Sequence, residues 1–295
     1  MMLGTDAKAK TESVDEALRR GRSQFEFRPE TWKYILKSVT TAAAGIIILI
    51  GIWWLLAEIV SAIKGVSFPT PITTFQTLWN ALNGAELNGA TIYNHTRVSL
   101  LRWGSGYLIA LVLGLMIGMV FGTTPSLYDI GMVPVHILHM IPGLAWIPVA
   151  MLVFGLGETA TVFIITMTAL PPIVINTAGG IRQVPKIYDR VAQMCGKTDS
   201  DTFLHVLLPG ASLSIINGMR IGLANGWRVL IAAEMVVGVA LGLGYSIYQS
   251  RYNLDYAAAF VCIIVICVIG LTIEKLLFST IESKVRDRLG LEVSE

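Results

Sequence analysis

Few side chains in this sequence could do chemistry, and their spacing argues against making or breaking bonds. His136 and His139 stand about one helical turn apart in an apolar run. Two histidines without a third ligand make a poor metal site. That leaves two uses: a hydrogen-bonded structural pair, or contact with an anion and tuning of a gate by pH. Arg220, Arg228 and Glu234 fall in a later apolar run, and Glu158 lies near the outer end of the third. Buried ionisable groups are costly in a membrane and often mark a path. A buried cation lowers the barrier for negative charge, so Arg220 or Arg228 suits an anion path; pairing between helices is the plainer role. Arg228 and Glu234 are six residues apart, on different helical faces, and are poor partners for each other.

Two other patterns fall away. Gly196-Lys197-Thr198 invites comparison with a phosphate-binding loop, but such a loop needs a glycine five residues before its Gly-Lys pair. Position 191 is valine, so no nucleotide site is expected in this chain. Cys262 and Cys267 are five apart in an apolar run and point to different sides of a helix. With Cys195 they read as unpaired thiols, the first two as small hydrophobes.

The elements that must carry these groups are membrane helices. Charged residues make up 14% of the 295 positions and apolar ones 54%, with a mean hydropathy of +0.65; soluble domains carry roughly 25% charge. The net charge of +2 is too small to argue for nucleic acid. Spans need about 20 apolar residues, and six candidates emerge: 41–63, 98–122, 128–155, 158–180, 211–240 and 256–279. The first begins too far in, and is too long, for a signal peptide. Pro142 and Pro148 interrupt the third, and Pro171-Pro172 the fourth. Such breaks are tolerated where protein or a water-filled path satisfies the freed backbone. Met140 and Trp146, beside the first break, are candidates for a constriction. Gly114, Gly118 and Gly122 form a small-residue stripe that suits close helix contact, inside the bundle rather than at a dimer seam.

Positive charge orients the bundle. Residues 1–40 carry eight of the basic side chains, from Lys8 to Lys37; the end carries Lys275, Lys284, Arg286 and Arg288. Arg182, Lys186, Arg190 and Lys197 lie between the fourth and fifth spans. Six spans put all three segments in the cytoplasm, although residues 123–127, on the same side, hold no positive charge. Residues 1–40 are expected to be a cytoplasmic tail. Within it Trp32, Ile35, Leu36 and Val39 suit either a short interfacial helix or an early start to the first span. Residues 41–285 form the membrane domain and 286–295 a second tail. Outside, Ile72, Phe75, Leu78, Trp79 and Leu82 make an apolar stripe at helical spacing.

The polar stretch from Arg190 to Pro209 is the most informative. It holds Gly196 and, thirteen residues on, Pro209 after Leu208. This spacing resembles the coupling loop of ABC-transporter permeases, written EAA, then Gly, then Leu-Pro, although Arg190-Val191 replace Glu-Ala and Asp199 and Asp201 make the loop acidic. The resemblance extends over about residues 45–285, to the nitrate, sulfonate, taurine and bicarbonate branch of bacterial ABC importers. It rests on Phe68-Pro69-Thr70-Pro71, on the run from His95 to Arg102, on Ile141 to Pro148 and on Phe154 to Glu158. Gly218-Met219-Arg220, Ala232-Ala233-Glu234 and Gly242-Leu243-Gly244-Tyr245 complete it.

The resemblance implies an all-α, six-span permease of the type I importer kind in the bacterial inner membrane, with both termini cytoplasmic. It implies two ABC ATPase subunits holding ATP and Mg, an extracytoplasmic solute-binding protein and a second permease copy as homodimer. No cofactor would be bound by this chain, and it would not itself be an enzyme. The coupling segment, 186–209, would use Arg190, Val191, Ala192, Met194, Gly196, Thr198, Leu208 and Pro209. His139, Met140, Pro142, Trp146, Arg220 and Arg228 are the candidates for path or gate. The solute would be a small oxyanion or sulfonate. The competing expectation is a transporter driven by an ion gradient, using Glu58, Glu234 or the histidines as proton sites, but no inverted repeat is visible.

Overall fold

The computed structural model describes residues 29–65 and 67–288. The expected tail over residues 1–24, and the last seven residues of the chain, lie outside the described residues. The chain divides into two units, one ending at Pro71 and one starting at Ile72.

The first unit is dominated by α1, Pro29–Lys64. Ile46, Ile47, Ile48 and Leu49 occupy successive positions, cover the whole circumference and are all exposed. A helix that is apolar on every side suits lipid. It runs without a break through residues 32–39, and the part long and apolar enough to cross a membrane is Val39–Lys64. After the helix the chain folds back: Phe68 N–H donates to Ser61 Oγ (3.2 Å) and Trp53 Nε1–H to Pro69 O (3.1 Å).

Helix α2, Pro71–Leu82, belongs to the second unit from Ile72 on; its Ile72, Phe75, Trp79 and Leu82 are exposed as an apolar stripe while Thr74 and Ala81 are buried. A two-residue hairpin follows, β1 Glu86–Leu87 and β2 Ala90–Thr91, paired antiparallel with Glu86 opposite Thr91. Its turn is Asn88-Gly89, both at positive φ (53° and 90°), the conformation that Asn-Gly turns favour. Thr91 then caps α3, Ile92–Thr123.

Next come α4 (Pro125–Met140), a 3-10 turn (Gly143–Trp146) and α5 (Ile147–Phe154). These were expected as one span, 128–155. They are two arms of a broken pair, bent by 98°. Then follow α6 (Glu158–Gln183), α7 (Lys186–Met194), the short α8 (Asp199–Thr202) and a π turn (Phe203–Leu207) leading into α9 (Leu208–Val236). The chain closes with α10 (Leu243–Asn253), α11 (Tyr256–Thr272), a second π turn (Ile273–Phe278) and α12 (Ser279–Arg288). Among the described residues five helices are long and apolar enough to cross a membrane, or six if the bent pair counts as one.

Helix α6 is the centre of the second unit. It lies parallel to α3, with small residues at four-residue intervals seating against it. A Cβ added to Gly106, Gly114, Gly118 or Gly122 would stand 2.6–2.8 Å from Ile165, Ile173, Thr177 or Ile181 respectively. Ala110 and Ala169, both fully buried, fill the remaining step. The glycine stripe is therefore an internal seam. On its other side α9 runs antiparallel: a Cβ on Gly222 would reach 2.7 Å from Ala169 O, and one on Gly218 would reach 3.0 Å from Pro172 O. Contrary to the sequence expectation, Pro171-Pro172 do not interrupt α6, which is continuous to Gln183. Helices on both flanks hold it in line where an isolated helix would bend.

This seam makes a paired prediction. Gly118→Ala places its Cβ 2.6 Å from Thr177 Cβ, a stem atom that cannot swing away. It should cost about 1–3 kcal/mol as overpacking and lower the unfolding temperature of the detergent-solubilised protein. Gly104→Ala, on the same helix with nothing within 4 Å, should be neutral or stabilising by up to about 1 kcal/mol.

Candidate functional site

The break between α4 and α5 makes a cavity. Pro142 leaves the helical conformation (φ −57°, ψ 136°), and the chain resumes as a 3-10 turn. Pro148 sits in the first turn of α5, where its missing N–H costs nothing. Gly143, at the apex, fits because a Cβ there would stand 2.6 Å from Val229 Cγ2 and 2.7 Å from Thr168 Oγ1. The apex is thus pressed against α6 and α9 and bounds a space of about 420 Å³. Its polar border is His139, Thr168, Asn225 and Arg228; Leu138, Met167 and Val229 are among the apolar remainder, and no carboxylate borders it. Pro171 and Pro172 remove the N–H groups that would have bonded to the carbonyls of Met167 and Thr168, both on this border.

His139, Pro142 and Arg228, three of the six residues expected on a path, therefore meet at one cavity. The other three do not border it. Met140, the last residue of α4, is 78% exposed. Trp146 packs edge-on against Phe163. Arg220 lies two turns back along α9, where Glu274 (3.2 Å) and Glu282 (3.7 Å) hold its guanidinium. His136, a turn before His139, does not border the cavity either.

A second cluster closes the opposite end of the second unit from α7. His95, Ser99 and Arg102 recur at the spacing of one helical face of α3, and all three are buried. Arg102 is forked: Nε and Nη2 donate to the two oxygens of Glu158 (both 2.5 Å), Nη1 donates to Glu234 and Nη2 also to Leu241 O (3.1 Å). Glu234 accepts further from Ser99 Oγ (2.8 Å) and Gly244 N–H (2.9 Å). Leu243 N–H donates to Ser99 Oγ (2.9 Å). Gly242 N–H donates to His95 Nδ1 (3.2 Å), so the ring proton sits on Nε2 and is donated to Leu87 O (2.8 Å). Gly242, at φ +148°, is required here, since a Cβ would fall 2.6 Å from the Glu234 carboxylate. Asn88 completes the chain of contacts by donating to Ser246 O and Ser250 Oγ on α10 (2.9 Å each).

Sequence reasoning placed Glu158 and Glu234 in helix-to-helix pairing but missed their partner, Arg102, along with Ser99, His95 and Asn88. The signal was present: three polar residues at the spacing of one face inside an otherwise apolar helix. Four of the stretches that carried the family resemblance, around His95–Arg102, Glu158, Glu234 and Gly242–Tyr245, converge on this cluster.

The segment 186–209 is built as a projecting unit. Ala192 is the buried residue of α7, while Ile187, Tyr188, Val191 and Met194 are exposed, Met194 at 88%. Arg190 is exposed as well. Gly196 takes φ +71° and ends the helix, with Gly196 N–H donating to Gln193 O (2.9 Å) and Lys197 N–H to Ala192 O (3.1 Å). Thr198 caps α8: its Oγ1 accepts from Asp201 N–H (3.2 Å) and donates to Asp201 Oδ2 (2.8 Å). Leu208 packs beside Ile181, Ala211 and Ile215, and Pro209 lies in the first turn of α9. Among the described residues no group of three or more His, Cys, Asp or Glu is placed to hold a metal ion.

The buried cluster makes an energetic prediction. Glu234 has no exposed side-chain surface, whereas Glu158 is 65% exposed. Arg102→Met, which strands the Glu234 charge, should destabilise by about 3–5 kcal/mol. Glu158→Gln should cost below about 1 kcal/mol. Arg102→Met combined with Glu234→Met should cost far less than the two separately, as read from thermal unfolding in detergent.

Comparison with known proteins bears on all three regions. Residues 110–287 match the family described as binding-protein-dependent transport system inner membrane component. The bicarbonate transport system permease protein CmpB of Synechococcus elongatus is 32% identical over 83% of this chain and 88% of its own length. The nitrate import permease protein NrtB of a Synechocystis species is 31% identical over 84% and 89%. The taurine transport system permease protein TauC of Escherichia coli is 28% identical over 82% and 88%. A structure of the inward-facing MetNI methionine ABC transporter aligns with a TM-score of 0.56 at 20% identity, covering 71% of this chain and 98% of that one. The chain is therefore a member of the family of inner-membrane permease subunits of binding-protein-dependent ABC importers, whose ATPase is a separate chain.

Proposed function

We propose that this chain, as a homodimer, carries a small anion across the inner membrane by alternating access, driven by ATP and Mg held on partner ATPase subunits. The observation that carries the reading is the placement of the projecting segment. Val191 and Met194 face outward at one end of α6 and α9, and the cavity with His139, Pro142 and Arg228 lies along the same helices. The exposed apolar face of α7 is the part that seats in an ATPase cleft; Gly196 and the capped α8 fix its angle to α9. Each chain offers one such segment, which suits two copies on two ATPases. The solute class is supported by relatives named for bicarbonate, nitrate and taurine.

In this reading the segment 186–209 and both termini are cytoplasmic, and the Arg102 cluster faces outward, where a solute-binding protein delivers. Closure of the ATPases on ATP moves α7 and α8; hydrolysis resets them. The cavity at the break alternates in access between the two sides.

Two measurements test this. Gly196→Val forces a branched residue into φ +71°; in proteoliposomes with ATPase and binding protein it should cut uptake at least tenfold while ATPase subunits still copurify. Cys195 is exposed, next to Gly196. With Cys262 and Cys267 replaced by alanine, a membrane-impermeant maleimide should label Cys195 in inside-out vesicles and not in intact spheroplasts. Labelling from outside would overturn the orientation.

A further inference from the structure

The two arginines of α9 differ in one respect that their sequence positions did not reveal. Arg220 is held by Glu274 and Glu282. Elsewhere in the second unit Arg102 is held by two carboxylates, and Arg182 lies over the ring of Tyr128 (4.2 Å). Arg228 is exposed and has no hydrogen bond, ion pair or ring partner among the described residues, and it borders both the cavity at the break and a second space that Arg220 and Glu274 also line. An arginine presents five donors in a rigid fork matched to a carboxylate, sulfonate or phosphate. Glu274 is taken by Arg220 (3.2 Å), so the fork of Arg228 is left for a group that enters the carboxylate-free cavity at the break.

The rest of the border narrows the class. The cavity measures about 420 Å³, far more than one water needs. Leu138, Ile141, Met167 and Val229 make much of its wall. Thr168 already donates its hydroxyl proton to Ile164 O (2.8 Å), so it offers an incoming group only an acceptor. A bare inorganic oxyanion would cross this space with its water and touch little of the wall. A short aliphatic body would lie on it.

We propose that Arg228 is the residue that recognises the solute inside the membrane, and that the solute is a small organic acid, its acid group on Arg228 and its aliphatic part along the apolar wall. This rests on the reading of the cavity as the transport path. The position is about 12 Å of helix from the end of α9 that carries Glu234, within the span and clear of the buried cluster.

The test uses the complete importer, permease with its ATPase and binding protein, in proteoliposomes, with labelled taurine and labelled nitrate as probes. The wild type is expected to accumulate taurine when ATP is present. Arg228→Gln should lower that accumulation at least tenfold, and Arg228→Lys should restore at least a third of it. Undiminished taurine uptake by Arg228→Gln overturns the inference, as does a wild type that accumulates nitrate and not taurine. Should Arg228→Gln fail to assemble, Arg228→Lys carries the test: its half-saturating taurine concentration should rise at least threefold as a point charge replaces a fork, and no rise overturns the proposal. Uptake that persists without ATP would instead overturn the ATP-driven reading on which the proposal stands.

Discussion

Backbone-close contact between α6 and its two neighbours is the constraint on which the second unit depends. In lipid, apolar burial does little to hold one helix on another, so contact must come from fit. Here the fit is made by missing side chains. Glycines on α3 receive Ile165, Ile173, Thr177 and Ile181, and glycines on α9 approach the carbonyls of Ala169 and Pro172. The two neighbours then stand close enough to share α6, and the other features follow from that spacing. Arg102 on α3 can reach Glu158 and Glu234 at once only because α6 and α9 begin and end beside it. The apex at Gly143 can bound a cavity only because α6 and α9 present a continuous wall with Thr168, Asn225 and Arg228 on it.

Charge is distributed along this core with different degrees of compensation. At one end Arg102 is answered by two carboxylates, and Glu234 also by a hydroxyl and a backbone N–H. At the other Arg220 is shared between Glu274 and Glu282 in a partly exposed setting. Between them Arg228 is unanswered. The two arginines at the ends have been given carboxylate partners from other elements, and Arg228, proposed to meet the solute, has none among the described residues.

Much of this was readable in the residues, and the gaps have physical causes. Spans were legible because apolar length is a direct consequence of bilayer thickness. The turn in the projecting segment was legible because a turn glycine has one steric meaning; Pro209 does not start a helix, since the chain is already helical from Asp199 and passes through a π turn before it. The glycine stripe on α3 was correctly assigned to internal packing, since its four-residue spacing needs only a neighbour with matching spacing. The break at Pro142 was seen, but its 98° bend was not, because the angle is set by what Gly143 meets on α6 and α9. Pro171-Pro172 were read as a similar interruption and are not, since flanking helices override the local tendency. Arg102 was missed as a partner for the same kind of reason: ion pairs between helices far apart in sequence leave no mark in spacing along either one. The Asn88-Gly89 hairpin, by contrast, had a clear local signature that went unread beside the stronger apolar pattern.

The rigidity of the core has a mechanical corollary. A slab of three helices in contact through backbone atoms has no soft layer to absorb a push, since close-packed interiors are stiff. Under the proposed coupling, force arriving at α7 would turn that slab as one body, and any bending would be displaced to the places where regular hydrogen bonding lapses. The described residues offer two such joints on the way to the cavity: the π turn Phe203–Leu207, between α8 and α9, and the bend at Ile141–Pro142, which closes the cavity from the far side. One lets the slab rotate under its driver and the other lets the cavity wall stay behind, so the aperture between them is set by the difference of two angles.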